Sequence, residues 1–337
     1  MQNTFLELPA RRRAFQQLKS AADRSNSGGK EIVFISGSPG SGKSTLVKSL
    51  RNDEGIFYSS AKFDKEETLP FSAITSLLVD ILISICENES LKRNMMDSMT
   101  SQMTQEEINA LNKVCPEFHR LGSWDDNEFR TEKSPYNEFN RVVNTSLAEI
   151  QYVITSFLKI LSIQSDKAIT LCFFGIHWAD DPSISIIDFL IEDLEMNRFL
   201  FIFTYTERED IPDKIEEQEH FYNWKSDIKI RTHHTPICVH LENLRIDDMS
   251  TILASSMKLS DIDNLAFTAV LMIRTKGNLF FALQIFESLK KDGVIIYDQA
   301  SRKWKWDPKV FRINSLPNEL LDLVSYRIQR LPLPFQQ

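Results

Sequence analysis

The stretch Ile32-Val-Phe-Ile-Ser-Gly-Ser-Pro-Gly-Ser-Gly-Lys-Ser-Thr45 places a short apolar run directly before a glycine-rich loop. The run Ile32–Ile35 is bounded by turn-forming residues, which predicts a buried strand. The chain has only 10 glycines, and three of them fall between Gly37 and Gly42. This clustering after a strand predicts a loop whose backbone turns tightly or approaches a ligand closely.

The loop from Gly37 to Ser44 matches the full pattern GxxxxGK[ST], the Walker A motif. Glycines let backbone N–H groups approach phosphate oxygens without a Cβ clash, and the following helix adds a favourable dipole. Lys43 is suited to the β- and γ-phosphates, Ser44 to Mg²⁺ and Thr45 to a phosphate oxygen. The motif indicates nucleoside triphosphate binding and leaves open whether hydrolysis follows. The predicted binding residues are Gly37, Ser38, Pro39, Gly40, Ser41, Gly42, Lys43, Ser44 and Thr45, with Ser44 as the metal ligand.

Further apolar runs of strand length follow along the chain, notably Ala168–Phe174 and Phe199–Thr204. A helix is predicted between them over 182–195, with Asp181 suited to its N-cap and Pro182 to its first position. Apolar strands that alternate with helices predict an α/β fold, with a parallel sheet and helices on both faces. The other predicted strands are Ile56–Tyr58 and Ile237–Leu241. The other predicted helices cover 5–22, 71–86 and 136–161, and a further helix is predicted to begin at Ser44–Leu50.

The pattern changes to helices from Asp247 onward. A chain of 337 residues is long enough for about two domains. We therefore predict a core domain over residues 1–215 and a smaller helical domain over 237–337, with the boundary in 210–236. The predicted elements of the second domain are helices over 247–257, 261–275, 279–291 and 317–329, with a hairpin from Val294–Tyr297 to Trp304–Trp306 before the last of them.

The charge balance of the chain is acidic. Lys and Arg number 39 against 47 Asp and Glu, so the net charge is −8 at pH 7. An acidic chain is poorly suited to a dedicated nucleic-acid binder, which needs a basic face for phosphate contacts. The triplet Arg11-Arg-Arg13 in the first predicted helix is therefore interpreted as solvated surface, rather than as a contact with nucleic acid or anionic lipid.

The cysteines and apolar runs indicate the compartment. The four cysteines, Cys86, Cys115, Cys172 and Cys238, are widely spaced and form no CxxC pair. This spacing favours reduced thiols over a zinc site or disulfides. The longest apolar runs fall far short of the ~20 residues of a membrane helix, and the start lacks a signal-peptide pattern. We expect a cytoplasmic protein without membrane association.

Together with the loop, a series of short motifs resembles the AAA ATPase domains of the STAND class, often labelled origin-recognition-complex-like. Their order and spacing extend the resemblance over almost the whole chain. It implies a five-stranded parallel P-loop NTPase sheet followed by a helical lid, with ATP or ADP and Mg²⁺ between them. The motifs are Ile35–Leu46, Lys62–Asp64, Pro70–Ala73, Cys115–Phe118, His177–Asp180, Thr204-Tyr205, Leu241–Leu244 and Thr275–Phe281.

In that family the domain lies within large signalling proteins, beside kinase, cyclase or transcription-activator modules. The resemblance therefore implies a protein partner or an appended signalling domain, and a winged-helix or superhelical region after the lid. Whether the native protein continues past Gln337 stays open. The expected function is an ATP-binding module that acts as a nucleotide-dependent conformational switch.

This sequence departs from the family at the Walker B strand, which usually ends in two acidic residues. Counting back from Trp178–Asp180, these two positions are Phe174 and Gly175. Neither residue can hold the water shell of Mg²⁺ or polarise an attacking water, so we expect weak or absent hydrolysis. Asp180 and Asp181 are alternative carboxylates, although a helix cap at Asp181 with Asp180 in the turn accounts for them better.

Two smaller departures lie after the fourth strand and in the lid. Tyr205 is followed by Thr206, where the resemblance implies an arginine that senses the γ-phosphate. Gly277-Asn278-Leu279 replaces Gly-Asn-Pro, whose proline packs near the adenine in the family. Two alternative functions stay open: an active P-loop ATPase or kinase that uses displaced carboxylates, and a replication-origin DNA-binding ATPase.

Overall fold

Five strands form one parallel sheet in the part of the chain that the structure describes, which confirms the predicted α/β class. The computed structural model describes residues 2–66, 69–121, 146–207, 215–232, 235–257, 261–299 and 303–306. The strands are β1 (Lys30–Gly37), β2 (Ile56–Lys62), β3 (Ala168–Phe174), β4 (Phe199–Thr204) and β5 (Ile237–Leu241), in the spatial order β2-β3-β4-β1-β5.

The centre of the sheet is apolar because its strands are covered on both faces. Every side chain of β3 and β4 is buried, as expected for parallel strands flanked by helices. Phe203 lies in the middle of this core. Its ring centroid is 5.1 Å from that of Phe34 on β1 and 5.4 Å from that of Phe173 on β3.

The register of the strands aligns their carboxyl ends. Lys62 of β2 pairs with Phe174 of β3, Phe174 pairs with Thr204 of β4, and Thr204 pairs with Ile35 of β1. These four residues therefore form one row across the sheet. In open parallel sheets the residues that follow the carboxyl ends of the strands line the binding crevice.

The described residues before β5 form nine α-helices. The predicted helix over 5–22 is two helices, because the chain breaks at Leu8 ahead of Pro9. The predicted helix over 136–161 is observed from its cap at Ser146, and 136–145 lie outside the described residues. The helices are α1 (Gln2–Glu7), α2 (Pro9–Asn26), α3 (Lys43–Lys48), α4 (Ser72–Cys86), α5 (Glu89–Gln102), α6 (Gln105–Val114), α7 (Leu147–Gln164), α8 (Asp181–Glu192) and α9 (Ile215–Thr232).

The cap of α8 corrects the prediction. The helix begins at Asp181, and Asp180 is the N-cap, with its Oδ1 2.8 Å from the backbone nitrogen of Ser183. The predicted cap at Asp181 is therefore wrong by one residue. Pro182 occupies the second helical position instead of the first, where a missing N–H is equally tolerated.

The three described helices after β5 agree with the prediction to within one residue, and a two-stranded antiparallel ribbon follows them. The predicted helix over 317–329 lies outside the described residues. None of the described helices alone is long and apolar enough to cross a membrane; Leu265–Thr275 and Leu279–Lys291 meet that test only jointly, across a 118° bend. The helices and strands after β5 are α10 (Ile246–Met257), α11 (Asp261–Thr275), α12 (Leu279–Lys291), β6 (Ile295–Asp298) and β7 (Lys303–Trp306).

The chain divides into two compact units. One contains residues 17–35 and the described residues of 47–239, and therefore most of the sheet with α4 to α9. The other combines the described residues up to 16, residues 36–46 and the described residues from 240 onward. The Walker A loop thus lies in the same unit as the amino-terminal residues and helices α10 to α12.

Candidate functional site

The glycines of the Walker A loop adopt backbone conformations that favour glycine. Gly40 has φ +81° and Gly42 has φ +101°, a region that other residues rarely enter. A Cβ on Gly40 would lie 2.6 Å from Oδ1 of Asn278, and a Cβ on Gly42 would lie 2.5 Å from Cζ of Phe5. The loop therefore needs glycine at both positions, for its conformation and for the space around it.

The polar side chains of the loop suit a phosphate ligand. Lys43 is half-buried, and its Nζ donates to the carbonyl oxygens of Gly37 at 2.6 Å and Ser38 at 3.0 Å. Ser44 and Thr45 lie in the first turn of α3 and are exposed, so their hydroxyls are open to a ligand. The hydroxyl of Ser41 is buried and has no hydrogen-bond partner among the described residues. The residues present therefore fit a triphosphate with Mg²⁺.

The start of α12 contacts the loop. The side-chain amide of Asn278 donates to the carbonyl oxygen of Pro39 at 2.5 Å. The backbone N–H of Phe280 donates to the carbonyl of Gly40 at 3.4 Å. The Gly277-Asn278 motif of the sequence is thereby placed beside the Walker A residues.

The residues that follow β5 reach the loop from a second direction. The hydroxyl of Ser38 donates to Oδ1 of Asn243 at 2.8 Å, and Oγ of Ser36 lies 3.0 Å from Nδ1 of His240. Two segments far apart in sequence, around residues 240–243 and 278–280, thus bond to residues of the loop or to the strand end that precedes it.

The arginine triplet of α2 is not uniformly solvated. Arg12 and Arg13 are exposed, but the side chain of Arg11 is only 1% exposed. Its guanidinium donates to the carbonyl oxygens of Ser41 at 3.0 Å and Glu242 at 2.6 Å. Burial lowers the pKa of Arg11, while the nearby charges of Asp248 and Glu242 act in the opposite direction. The interpretation as solvated surface is therefore wrong for this one residue.

The two Walker B positions carry no carboxylate. Phe174 ends β3 with its ring buried, and Nζ of Lys48 lies 5.9 Å from the ring centroid. Gly175 has φ +69°, and a Cβ there would lie 2.8 Å from the carbonyl oxygen of Phe63. The backbone N–H of Gly175 donates to Oγ1 of Thr204 at 3.2 Å.

Neither carboxylate of the Asp180-Asp181 pair occupies the end of β3. Both oxygens of Asp180 bond to Ser183, one to its N–H and one to its hydroxyl, each at 2.8 Å. Asp181 is exposed and lies 3.4 Å from Nδ1 of His220. Helix capping therefore accounts for the carboxylate of Asp180. A cap is expected from this pair of residues, but the predicted residue is Asp181.

A small cleft of about 60 Å³ lies after β2 and β3. It contains two carboxylates, those of Asp180 and Asp64. The side chain of Asp64 accepts a hydrogen bond from the ammonium of Lys62 at 2.5 Å, which lowers the pKa of Asp64. The sequence pattern does not mark Asp64 as a candidate site carboxylate, although this residue ends the Lys62-Phe-Asp64 motif.

Lys225 is a second residue that the sequence pattern did not reveal. Its ammonium bonds to the hydroxyl of Tyr205 and lies 4.4 Å from the centroid of that ring. Tyr205 follows β4 and precedes Thr206, and the nearest arginine along the chain, Arg208, lies outside the described residues. A cation is therefore present beside Tyr205, although it comes from α9 rather than from the strand end.

Comparison with known proteins gives a family match. The sequence model of the AAA ATPase domain family matches residues 7–202, which is more than half of the chain. The hybrid signal transduction histidine kinase G of Dictyostelium discoideum is 17% identical over 395 residues. That match covers 96% of this chain, and the chain spans only 11% of the length of the kinase.

Two solved structures are similar at low identity. A chain in the structure of Drosophila ORC bound to DNA is 11% identical, with a TM-score of 0.43 over 86% of this chain and 65% of that one. The Aeropyrum pernix ORC1 protein in complex with DNA is also 11% identical, with a TM-score of 0.46 over 98% of this chain and 72% of that one.

Proposed function

Since this chain belongs to the AAA ATPase domain family, we propose that it is an ATP-binding signalling module of the STAND type. It acts as a nucleotide-dependent conformational switch, with weak or absent hydrolysis. The observation that supports this most directly is the geometry of the Walker A loop, where a Cβ on Gly40 or Gly42 would clash and where Lys43 is held on the loop carbonyls.

The proposed ATP-binding residues are Gly37–Thr45. Backbone N–H groups of the loop bind phosphate oxygens, and Lys43 exchanges its two loop carbonyls for oxygens of the β- and γ-phosphates. The hydroxyl of Thr45 bonds to a phosphate, and that of Ser44 holds Mg²⁺. The bound Mg²⁺ would supply positive charge that neutralises the phosphates.

The switch part of the proposal rests on the two segments that bond to loop residues. These contacts are made by His240–Asn243 and by Asn278–Phe280. A ligand can shift a conformational equilibrium only through contacts that differ between the two states. A phosphate that moves Ser38, Pro39 or Gly40 changes such contacts. We propose residues 237–337 as a lid and residues 1–215 as the core.

Weak hydrolysis follows from the chemistry at the end of β3. Phosphoryl transfer to water depends on an oriented water, Mg²⁺ and charge stabilisation. Phe174 and Gly175 provide none of these. The second candidate function is an active ATPase or kinase with displaced carboxylates, and the specific observation that favours it is the cleft that contains Asp64 and Asp180.

The proposed ligands are ATP and ADP, and the proposed partner is a protein or an appended signalling domain. A net charge of −8 disfavours contact with nucleic acid, and the proposal involves no membrane. None of the four cysteines forms a disulfide within the described residues, which suits the reducing cytoplasm that we propose as the location.

The proposal is tested by calorimetric titration of the full chain with ATP and Mg²⁺. We expect Lys43→Ala to weaken binding roughly tenfold to ~150-fold, because a charge-assisted contact contributes ~1.5–3 kcal/mol. Arg12→Ala, which removes an exposed charge, should leave the affinity unchanged. Equal affinities for the wild type and Lys43→Ala would eliminate the proposed site.

The switch is tested separately by amide hydrogen exchange. We expect exchange of residues 240–243 and 278–281 to differ between the ATP-bound and ADP-bound proteins, because these residues bond to the loop or lie beside it. Exchange of the buried strand β3 should be the same in both. Identical exchange of the two segments with either nucleotide would leave an ATP-binding protein without the switch.

A further inference from the structure

Arg11 is a buried cation that the nucleotide-binding motif does not explain. Its side chain is 1% exposed, and its Nε has no hydrogen-bond partner among the described residues. Burial of a charged group is unfavourable unless hydrogen bonds and opposite charges compensate for it. The two carbonyl oxygens that receive bonds from its Nη2 belong to segments far apart in sequence, the Walker A loop and residue 242.

The bond to Ser41 orients a peptide of the phosphate loop. The described chain contains no cis peptide bond. In a trans peptide the C=O of one residue and the N–H of the next point in opposite directions. Because the carbonyl of Ser41 points to Arg11, the N–H of Gly42 points away from Arg11. A phosphate held by the loop amides depends on this orientation.

Phe5 of α1 holds the same part of the loop through packing. Its ring is buried and lies where a Cβ of Gly42 would stand, and the guanidinium carbon of Arg11 is 5.5 Å from the centroid of the ring. Asp248 on α10 is also buried and acts electrostatically on Arg11. Phe5, Arg11 and Asp248 belong to the same compact unit as the loop.

We infer that Arg11 is a positioning residue for the phosphate loop, which fixes the Ser41–Gly42 peptide and joins it to the backbone at Glu242. This inference rests on the proposed nucleotide-binding function. It assigns to the amino-terminal helices α1 and α2 a role in nucleotide affinity. Arg11 acts through the loop, and no contact between its side chain and nucleotide is part of the inference.

The matched variants are Arg11→Gln, Arg11→Lys and Arg12→Gln in the full chain. Arg11→Gln should weaken the affinity for ATP and for ADP, each with Mg²⁺, roughly tenfold or more, because hydrogen bonds from a charged donor are lost. Arg11→Lys keeps the charge and the donors, but it lacks the length and the planar geometry that place Nη2 of Arg11 between the two carbonyl oxygens. Its affinity should therefore be intermediate. Arg12→Gln should stay within about twofold of the wild type.

Hydrogen exchange distinguishes positioning from a general loss of structure. In nucleotide-free Arg11→Gln, we expect faster exchange at residues 38–45 and unchanged exchange at the buried strand β3. If Arg11→Gln does not fold, the same exchange measurement is made on Arg11→Lys, with the same expected result. Wild-type affinity in either folded Arg11 variant, or faster exchange throughout the chain at reduced affinity, would overturn the inference.

The same titrations separate this inference from the proposed function. If the wild-type protein binds neither ATP nor ADP, the proposed function fails. If the wild type binds nucleotide and Lys43→Ala does not, yet the Arg11 variants bind as tightly as the wild type, only the role of Arg11 fails.

Discussion

The side chain of Asn278 connects the Walker A loop to the first turn of α12. Its Nδ2 lies 2.5 Å from the carbonyl oxygen of Pro39, and its Oδ1 accepts the backbone N–H of Phe281 at 3.0 Å. One amide group therefore serves as the donor to the loop and as the N-cap acceptor of the helix. Displacement of Pro39 by a nucleotide would act directly on the start of α12.

The two functions of Asn278 can be separated by substitution. Asn278→Asp keeps the capping oxygen but replaces the donor with a carboxylate oxygen beside the Pro39 carbonyl. It should therefore retain the helix cap and weaken ATP binding, because the contact with Pro39 is lost and the added charge repels phosphate. Asn278→Ala removes both the capping oxygen and the donor. It should weaken ATP binding and also lower the free energy of unfolding by ~1 kcal/mol. Thermal unfolding and ATP titration measure the two effects.

Asn88 offers a control for this pair. It caps α5 through bonds from Ser90 and Leu91 and lies in the other compact unit. Asn88→Asp should therefore leave the ATP affinity unchanged. If Asn278→Asp binds ATP as tightly as the wild type, the contact with Pro39 has no part in nucleotide binding.

Gly42 and Gly28 form a second matched pair. Both have a strongly positive φ, +101° and +107°, but a Cβ on Gly28 has nothing within 4 Å, whereas one on Gly42 meets the ring of Phe5. Gly28→Ala should lower the free energy of unfolding by ~1–3 kcal/mol through backbone strain alone. Gly42→Ala should lower it further and also weaken ATP binding. Denaturant unfolding of both variants tests this, and equal losses would show that Phe5 does not support the loop.

The thiols should differ in reactivity according to their burial. Cys238 is exposed, Cys86 is half-buried, and Cys115 and Cys172 are buried. Burial also raises the pKa of the Cys172 thiol, which disfavours the reactive thiolate. A thiol-reactive dye at pH 8 should label one cysteine rapidly in the native protein and four in denaturant.

Cys238→Ser is the control for the labelling, since it should abolish the rapid phase and leave three thiols in denaturant. Rapid reaction of Cys172 in the native protein would mean that β3 opens readily. Fewer than four reactive thiols in the denatured wild type would contradict the reduced state proposed for the chain.

The sheet and the phosphate loop could be predicted because their signals are local. A continuous apolar run such as Ala168–Phe174 indicates a strand buried on both faces, and a glycine-rich loop after a strand indicates close backbone approach. In the structure β2 extends to Lys62, beyond the predicted end at Tyr58. That extension carries polar residues at the strand end, where the apolar pattern stops.

The burial of Arg11 could not be predicted because its cause is not local. Arg11, Arg12 and Arg13 are identical in type and adjacent, so composition treats them alike. Their difference comes from acceptors that lie 30 and 231 positions away, at Ser41 and Glu242. Helical geometry points only one of the three side chains at those carbonyls.

The same limit applies to the cap of α8. Asp180 and Asp181 are equally good capping residues by type. The choice depends on where the short 3₁₀ turn Ile176–Trp178 ends, which is a property of the backbone after Gly175.

The end of β3 determines what can be expected of hydrolysis. The simplest restoration of the Walker B carboxylates is Phe174→Asp with Gly175→Asp. The structure makes the second change unfavourable, because Gly175 has φ +69° and a Cβ there would lie 2.8 Å from the carbonyl oxygen of Phe63. Phe174→Asp alone creates no such clash in a strand conformation, although it removes a buried ring, so its folding must be checked by thermal unfolding.

We therefore expect the wild type to bind ATP and to release phosphate far more slowly than ~1 s⁻¹, the low end of ordinary enzymes. Phe174→Asp should raise turnover, because it supplies a carboxylate for the water shell of Mg²⁺. Gly175→Asp added to it should give little more and should destabilise the fold. Asp180→Asn is the control, since its carboxylate caps α8. Wild-type turnover of ~1 s⁻¹ that is abolished by Lys43→Ala would favour an active ATPase. If Asp180→Asn or Asp64→Asn also abolishes it without unfolding the protein, that residue is the displaced catalytic carboxylate.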